Sequence, residues 1–271
     1  MKLTKRISIV IIFCLGIIVY SNTFHCSFQF DDSLFIINNP AIRNIQNLLK
    51  VWEFYPCRFI TFFSLAFNYH FNGLNVFGYH LFNLTVHLFT AILVWWLTLL
   101  TLSTPAMKDQ KITHHANLIA LLVGLVFVSH PIQIEAVTYI WQRAASMAAL
   151  FYLASLCFYV KSRLLGGNKY YIFSLITAVA AMFTKENAVT LPLMILFYEF
   201  SFFKNDRPAI TRPHTIEAIG PFWERISPFL LILFIIPLTM LLTKSGLSRE
   251  IQGYPTGACR RIPYRLPSDP N

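Results

Sequence analysis

Apolar segments long enough to cross a lipid bilayer recur along the chain, and they constrain its fold more than any other feature. A transmembrane helix needs about 20 largely apolar residues. The chain is 56% hydrophobic and only 13% charged, whereas soluble domains average about 25% charged residues. The sequence therefore predicts an all-α, polytopic transmembrane helix bundle of about seven spans. The predicted spans are 7–24, 77–102, 116–128 with a start near Ile112, 136–160, two halves of 170–203, and 226–242.

The segment 170–203 is too long for a single span. A helix of this length measures about 50 Å at 1.5 Å per residue, whereas the hydrocarbon core of a bilayer is about 30 Å thick. Lys185 and Glu186 also fall in its middle, and a charge at the bilayer centre costs about 2.5–3.5 kcal/mol. We therefore predict two short spans joined by a turn at the TKEN sequence, 184–187.

Basic residues indicate the orientation of these spans. With the N-terminus in the cytoplasm, three inside loops carry an excess of bases, as the positive-inside rule requires. These bases are Lys108, Lys111, Lys161, Arg163, Lys169, Lys204, Arg207, Arg212 and Arg225. The segments 25–76, 129–135 and 184–187 then lie outside. The acids that share this outer face are Asp31, Asp32, Glu53, Glu135 and Glu186.

The predicted domain organisation is a transmembrane domain, 1–243, in which 25–76 form the first external loop. A basic tail containing proline and glycine, 244–271, has no hydrophobic periodicity and is expected to be irregular. The tail conflicts with the positive-inside rule, because it would lie outside.

The net charge of +10 does not indicate a nucleic-acid-binding protein, because the bases lie in short segments between apolar runs. The sequence contains no glycine-rich phosphate loop, no CxxC and no zinc-type spacing. No cofactor is expected, although paired acids are compatible with a divalent metal. Cys26 and Cys57 flank the first external loop, where they either pair in an oxidising compartment or remain free thiols.

Two polar stripes follow from helical spacing, because residues three, four and seven apart share a face. Such stripes either line a substrate path or form hydrogen bonds between helices. Their members are His80, Asn83 and His87 in the second span, and Glu135, Tyr139, Gln142, Arg143 and Ser146 in the fourth. Glu135 and Arg143 could also form a structural ion pair through a third group. The segment 59–71 is shorter than a span and predicts an interfacial or re-entrant helix.

Two adjacent acids, Asp31 and Asp32, lie in the sequence FQFDDSLFIINNP directly after the first span. They are compatible with a solvated turn, because aspartate and asparagine favour turns. A carboxylate held at the membrane surface can also act as a general base if a proton donor comes within hydrogen-bond reach. The cations Arg58, Arg143 and Lys185 could then bind a phosphate or pyrophosphate leaving group.

Four sequence blocks together resemble the membrane domain of the TMTC-like proteins. These polytopic proteins usually carry tetratricopeptide repeats and belong to the GT-C glycosyltransferase class, alongside protein O-mannosyltransferases. The resemblance covers roughly 20–204, in order and with compatible spacing. The blocks are FDDSLFIINNPAIRN, PCRFITFFSLAFNYHFNGLNVFGYHLFNLTVHL, HPIQIEAVTYIWQRAASMAALFYLASLCFYVK and AMFTKENAVTLPLMILFYEF.

This resemblance implies a membrane glycosyltransferase that takes its sugar from a polyprenyl- or dolichyl-phosphate donor. It implies a protein or glycan acceptor on the periplasmic or lumenal side, and Asp31 or Asp32 as the catalytic base. His130 and Glu135 match the family's HP…EA block, while Lys185 and Glu186 match its KE block. These four residues are expected to shape the site or to engage the donor phosphate.

The serine- and methionine-containing QRAASMAALFY block is most similar to bacterial members, so we expect a multi-pass protein of a bacterial inner membrane. The family's repeats and later helices are absent from this sequence, and the chain is therefore expected to be a truncated product. Two other classes remain open: a transporter or channel-like protein that uses the polar stripes as a solute path, and a non-catalytic membrane scaffold. The sequence specifies neither the sugar nor the acceptor.

Overall fold

The computed structural model describes residues 4–203 and 222–241. These residues form α-helices, short 3-10 turns and one π-helical turn, and they contain no β-strand. The predicted all-α helix bundle is therefore confirmed. The helices are α1 Lys5–Val19, α2 Leu48–Phe54, α3 Phe59–Asn72, α4 Val76–Leu102, α5 Ala116–Ser129, α6 Ile134–Thr138, α7 Arg143–Leu165, α8 Asn168–Met182, α9 Leu191–Phe202 and α10 Phe222–Ile232.

Four helical segments of the described residues are long and apolar enough to cross a membrane. They are Val76–Leu102, Lys111–Ser129, Ile140–Leu165 and Trp223–Leu241. Helices also form at the other predicted spans, but α1 and α8 have 15 residues each and α9 has 12. A 15-residue helix measures about 22 Å, which is shorter than the hydrocarbon core. By length alone, four of the seven predicted spans are present among the described residues.

The predicted split of 170–203 is observed. Helix α8 ends at Met182, a 3-10 turn occupies Glu186–Thr190, and α9 begins at Leu191. Lys185 and Glu186 therefore lie at the junction between two helices, where their charges do not interrupt an apolar helix.

The predicted fourth span, 136–160, is wrong at its start. Helix α6 stops at Thr138, Tyr139 adopts an extended conformation with φ −82° and ψ 110°, and α7 begins only at Arg143. We call residues 139–142 the α6–α7 break. The break separates Glu135 from Arg143, so the second predicted polar stripe does not form one continuous helix face.

The helices alternate in direction, so the bundle has two ends of different character. At the end that we call the loop end, the first loop joins the later helices: His80 Nε2 lies 2.8 Å from the Cys26 carbonyl oxygen, and the Ile60 amide donates to the Phe183 carbonyl at 3.0 Å. The opposite end, which we call the basic end, carries Arg163. Its guanidinium joins α7 to α9 through Glu199 at 2.9 Å.

Glycine permits close packing of α1 against α4 and α5. A Cβ at Gly16 would lie 2.4 Å from a methyl of Leu88, and a Cβ at Gly124 would lie 2.7 Å from a methyl of Ile12. Helix association inside membranes depends on such small residues, because lipid supplies no hydrophobic drive between apolar helices. These contacts fix the position of α1, whose end leads directly into the first loop.

The first loop packs on the bundle through a second apolar cluster. Ile36, Ile42 and Val51 from the loop are fully buried against Phe62 of α3 and Trp141 of the α6–α7 break. Helix α3 has 14 residues, too few for a span, as predicted. Cys26 and Cys57 are free thiols in the structure, as in the unpaired alternative. The predicted tail, 244–271, lies outside the described residues.

Candidate functional site

The two adjacent acids of the first loop have opposite environments. Asp31 is exposed, whereas Asp32 is only 1% exposed. Asp32 accepts two backbone hydrogen bonds, from the Gln29 amide at 2.9 Å and from the Trp141 amide at 2.8 Å. Both oxygens of this carboxylate are thus occupied by the protein, while Asp31 faces solvent.

The chain folds tightly before the acid pair. Phe30 has a φ of 44°, an uncommon backbone conformation for a residue with a side chain. The Asp32 carboxylate closes this turn by accepting the Gln29 amide. After the turn, Phe35 stacks on Trp141 with ring centroids 4.0 Å apart. The acid pair is therefore held against the α6–α7 break by both a hydrogen bond and an aromatic contact.

Burial raises the pKa of Asp32 from 3.8 to about 6, because the folded protein removes the carboxylate from water. The two backbone amides and the Arg143 cation oppose this change, while the neighbouring Asp31 adds to it. The Asp32 carboxylate is thus hydrogen-bonded to two backbone amides but excluded from water.

Asp31 lines a cleft of about 820 Å³ at the loop end. Glu135 and Tyr139 line the same cleft, together with apolar residues that include Ile132. The Tyr139 hydroxyl accepts from the Asp31 amide at 3.1 Å and also lies next to the Asp31 carboxylate. Gln142 donates to Glu135 at 2.9 Å. The cleft thus presents two carboxylates and a phenol to a ligand.

An apolar groove of about 470 Å³ lies beside this cleft, between α4 and α5. Its lining is almost entirely apolar and includes the exposed side chains of Leu122 and Val126. His130 and Gln133 close the groove at the loop end, and Ile132 lines both the groove and the cleft. A ligand with a hydrocarbon part and a polar part could occupy both spaces at once.

Arg58 and Glu186 form a bidentate ion pair, with Nε–Oε1 and Nη2–Oε2 distances of 3.0 and 2.9 Å. Burial opposes ionisation of Glu186, but hydrogen bonds and charge from Arg58 outweigh it and lower the pKa of this carboxyl. Burial and the nearby Arg58 lower the pKa of Lys185, although Glu186 and Glu135 partly offset them. These charges form a second cluster at the loop end.

Arg143 occupies a different place from the other predicted site cations. It is 0% exposed, and its guanidinium donates to Asn83 Oδ1 and to the carbonyl oxygens of Ser64 and Tyr79. It forms no direct contact with Glu135 and does not line the cleft.

The polar stripe of α4 ties helices together. His80 and His87 lie 2.8 and 3.2 Å from the carbonyl oxygens of Cys26 and Val128, and Asn83 donates across to the α6–α7 segment. All three side chains are buried. Of the two readings of this stripe, interhelical hydrogen bonding describes the geometry.

The structure brings together Asp31, Asp32 and Glu135 with His130 nearby, and it places Lys185 and Glu186 beside Arg58. Sequence reasoning missed the Trp141 amide as a partner of Asp32. No sequence signal could have identified it, because a backbone donor does not depend on residue type. The described residues contain no group of three or more metal-ligating side chains that could hold an ion.

Curated relatives match about two thirds of this chain. It is 26% identical over 201 residues to protein O-mannosyl-transferase F38B6.6 of Caenorhabditis elegans, covering 69% of this chain and 27% of the relative. It is 28% identical over 221 residues to protein O-mannosyl-transferase Tmtc3 of Drosophila melanogaster, covering 71% and 24%. It is 29% identical over 214 residues to human protein O-mannosyl-transferase TMTC2, covering 68% and 23%.

The chain thus spans about a quarter of the length of the curated relatives it matches. No family model matches the sequence, and no solved structure matches it.

Proposed function

From its homology to the TMTC-named protein O-mannosyl-transferases, which confirms the resemblance seen in the sequence, we propose that this chain is part of a membrane glycosyltransferase. It transfers a hexose from a polyprenyl-phosphate donor to a protein acceptor. The reaction takes place at the loop end, which faces the periplasm or lumen. The observation that carries this proposal is the acid cleft joined to an apolar groove.

Asp31 is the general base in this proposal. It lies in the cleft and is exposed to a ligand, whereas both oxygens of Asp32 accept backbone amides. The Asp31 carboxylate takes the proton of an acceptor hydroxyl as that oxygen forms a bond to the anomeric carbon of the sugar. The bond between this carbon and the donor phosphate breaks, and the phosphate leaves with the electron pair. Attack opposite the leaving group inverts the anomeric centre.

The groove between α4 and α5 receives part of the polyprenyl chain. Its exposed apolar walls suit hydrocarbon, and its loop-end boundary at His130 and Gln133 lies next to the cleft. A lipid chain in the groove would bring its phosphate towards Ile132, where groove and cleft meet. His130 lies at this boundary and can contact the donor phosphate.

Lys185 and Arg58 supply positive charge at the loop end. A cation beside a departing phosphate stabilises the negative charge that develops in the transition state. Glu186 accepts hydrogen bonds from both Nε and Nη2 of Arg58 and so fixes the direction of the guanidinium. Glu135, on the cleft wall, is suited to hold sugar hydroxyls. Arg143 has no place among these contacts, because it is buried in the protein.

The test uses the chain in nanodiscs with a radiolabelled polyprenyl-phosphate hexose and a serine- and threonine-containing acceptor peptide. A full-length homologue provides a parallel experiment. We expect Asp31→Asn to lower the transfer rate by about 10²–10⁴-fold, which is the usual contribution of a general base. Asp32→Asn should have a smaller effect, through the turn that Asp32 closes.

Asp109→Asn is the control, because Asp109 is exposed on the turn after α4, at the basic end. It should transfer at the wild-type rate. Transfer by Asp31→Asn at the wild-type rate would show that Asp31 is not the general base. Undiminished transfer by Asp31→Asn, Asp32→Asn and the double variant together would reject both acids.

A further inference from the structure

Arg143 is the largest side chain that is completely buried in the described structure. Its Nε donates to Asn83 Oδ1 at 2.8 Å, and its Nη2 donates to the Tyr79 carbonyl at 3.0 Å. Its guanidinium carbon lies 4.2 Å from the centre of the Phe82 ring. Such a site satisfies the donors of an arginine but supplies no negative charge.

Burial of a charged group is costly unless an opposite charge offsets it. The ion pairs among the described residues are Arg58 with Glu186 and Arg163 with Glu199, so Arg143 belongs to neither. The positive charge of Arg143 also favours the ionised form of Asp32, after the two backbone amides that this carboxylate accepts.

A chain of contacts also joins Arg143 to the acid pair mechanically. Asn83, which accepts from Arg143, donates its amide to the carbonyl oxygens of Val137 and Ile140 at 3.4 and 3.3 Å. The Val137 carbonyl belongs to α6 and the Ile140 carbonyl to the break, so Asn83 holds the chain on both sides of the extended residue Tyr139. The next residue, Trp141, donates its amide to Asp32 at 2.8 Å.

We propose that Arg143 and Asn83 are positioning residues that hold the α6–α7 break in the shape that directs Tyr139 and the Trp141 amide at the acid pair. The Trp141 amide held in this way favours the ionised form of Asp32, and the positive charge of Arg143 acts in the same direction. With Asp32 ionised, both of its oxygens accept amides, and the turn that presents Asp31 to the cleft stays closed. Arg143 thus acts on the reaction without touching donor or acceptor. The catalytic meaning of this inference rests on the proposed function, but the ionisation of Asp32 does not.

The experiment measures the titration of Asp32 directly. The chain contains five aspartates, so protein labelled with ¹³C at the aspartate carboxyl gives few NMR signals in nanodiscs. The signal of Asp32 is identified by its loss in Asp32→Asn. The charged and titratable groups that face Asp32 are Asp31 on its own turn, Tyr139 on the break and Arg143 at the start of α7.

Arg143→Gln removes the cation and keeps a polar side chain. We expect the titration midpoint of Asp32 to rise, because the variant loses the positive charge and weakens the contacts that hold the Trp141 amide against Asp32. Arg143→Lys keeps the cation, so the midpoint should stay close to the wild-type value. The matched control is Arg163→Gln, which removes a partly buried arginine at the other end of the same helix and should leave the Asp32 midpoint unchanged.

Asn83→Asp provides a second variant of nearly the same shape in case Arg143→Gln does not fold. Its carboxylate pairs with Arg143 at close range and competes with Asp32 for the cation, so the Asp32 midpoint should again rise. A midpoint unchanged in both Arg143→Gln and Asn83→Asp overturns the inference, as does an equal rise in Arg163→Gln.

Transfer assays on the same variants separate this inference from the proposed function. If Arg143→Gln raises the Asp32 midpoint and also shifts the acid limb of the pH–rate profile to higher pH, the positioning role and the proposed function are both supported. If the midpoint rises but the wild-type chain and full-length homologue show no transfer, the positioning role stands and the proposed function fails.

Discussion

The buried carboxylate of Asp32 should make the stability of this protein depend on pH in a defined window. Its pKa is about 6 in the folded protein and about 3.8 when the chain is unfolded. The folded state therefore binds a proton more tightly than the unfolded state between these values. The contribution of Asp32 to the free energy of unfolding therefore falls as the pH rises from about 4 to about 6. Above pH 6 this contribution no longer changes with pH.

The magnitude follows from the size of the pKa change. One pH unit corresponds to about 1.36 kcal/mol, so the rise of the Asp32 pKa corresponds to about 3 kcal/mol. Water in the neighbouring cleft screens part of this energy, and we expect about 2 kcal/mol. The perturbation is Asp32→Asn, which cannot titrate. The difference in unfolding free energy between wild type and Asp32→Asn should change by about 2 kcal/mol from pH 4 to pH 7.

Equilibrium unfolding in mixed micelles, followed by tryptophan fluorescence across this pH range, measures the difference. The side-chain amide introduced by Asp32→Asn can accept only one of the two backbone amides that the carboxylate accepts, so the variant also has a pH-independent loss of stability. That loss displaces the curve of the variant but does not change its slope. Asp109→Asn serves as the control and should follow the wild-type slope. Parallel curves for wild type and Asp32→Asn between pH 4 and pH 7 would refute the reasoning.

Two other perturbations test the packing and charge of the bundle. Glu186→Gln removes the carboxylate that Arg58 holds; we expect a loss of about 1 kcal/mol in unfolding free energy at neutral pH. The pKa of Glu186 is lowered in the folded protein, so the difference in unfolding free energy between wild type and Glu186→Gln should decrease as the pH falls below about 4.5. A difference that stays constant down to pH 3 would contradict this expectation. Gly124→Val brings a side chain against Ile12 and Trp95; it should destabilise the protein by about 1–3 kcal/mol, measured as a lower thermal midpoint, whereas an unchanged midpoint would show that α1 is loosely packed.

The hydrophobic pattern of the sequence was sufficient to predict the helix bundle and the interruption at Lys185 and Glu186. Both follow from local physics: an apolar run in a membrane must satisfy its own backbone hydrogen bonds, and a charge in its middle must leave the bilayer core. The grouping of Asp31, Glu135 and Glu186 at one end also follows from the sequence, because spans that alternate in direction bring every second loop to the same side.

Helical periodicity gave a wrong prediction where contacts between distant segments interrupt a helix. The sequence placed Glu135 and Arg143 on one helix face, but the extended residue Tyr139 ends α6 and directs the two side chains to different environments. The sequence pattern carries no signal for this break. Asn83, more than 50 residues earlier in the chain, donates to the carbonyls of Val137 and Ile140 on the two sides of Tyr139.

The sequence by itself determined that this chain is a helical membrane protein with an acid pair at one end of its bundle, because composition and the spacing of charges act within single segments. Only the tertiary structure decided which acid faces a cleft. Asp32 is buried against the α6–α7 break, where the Trp141 amide, 109 residues away, donates to it, and Asp31 is exposed at the cleft. Hydrogen bonds between segments so far apart depend on how the helices pack, and no local pattern encodes their partners.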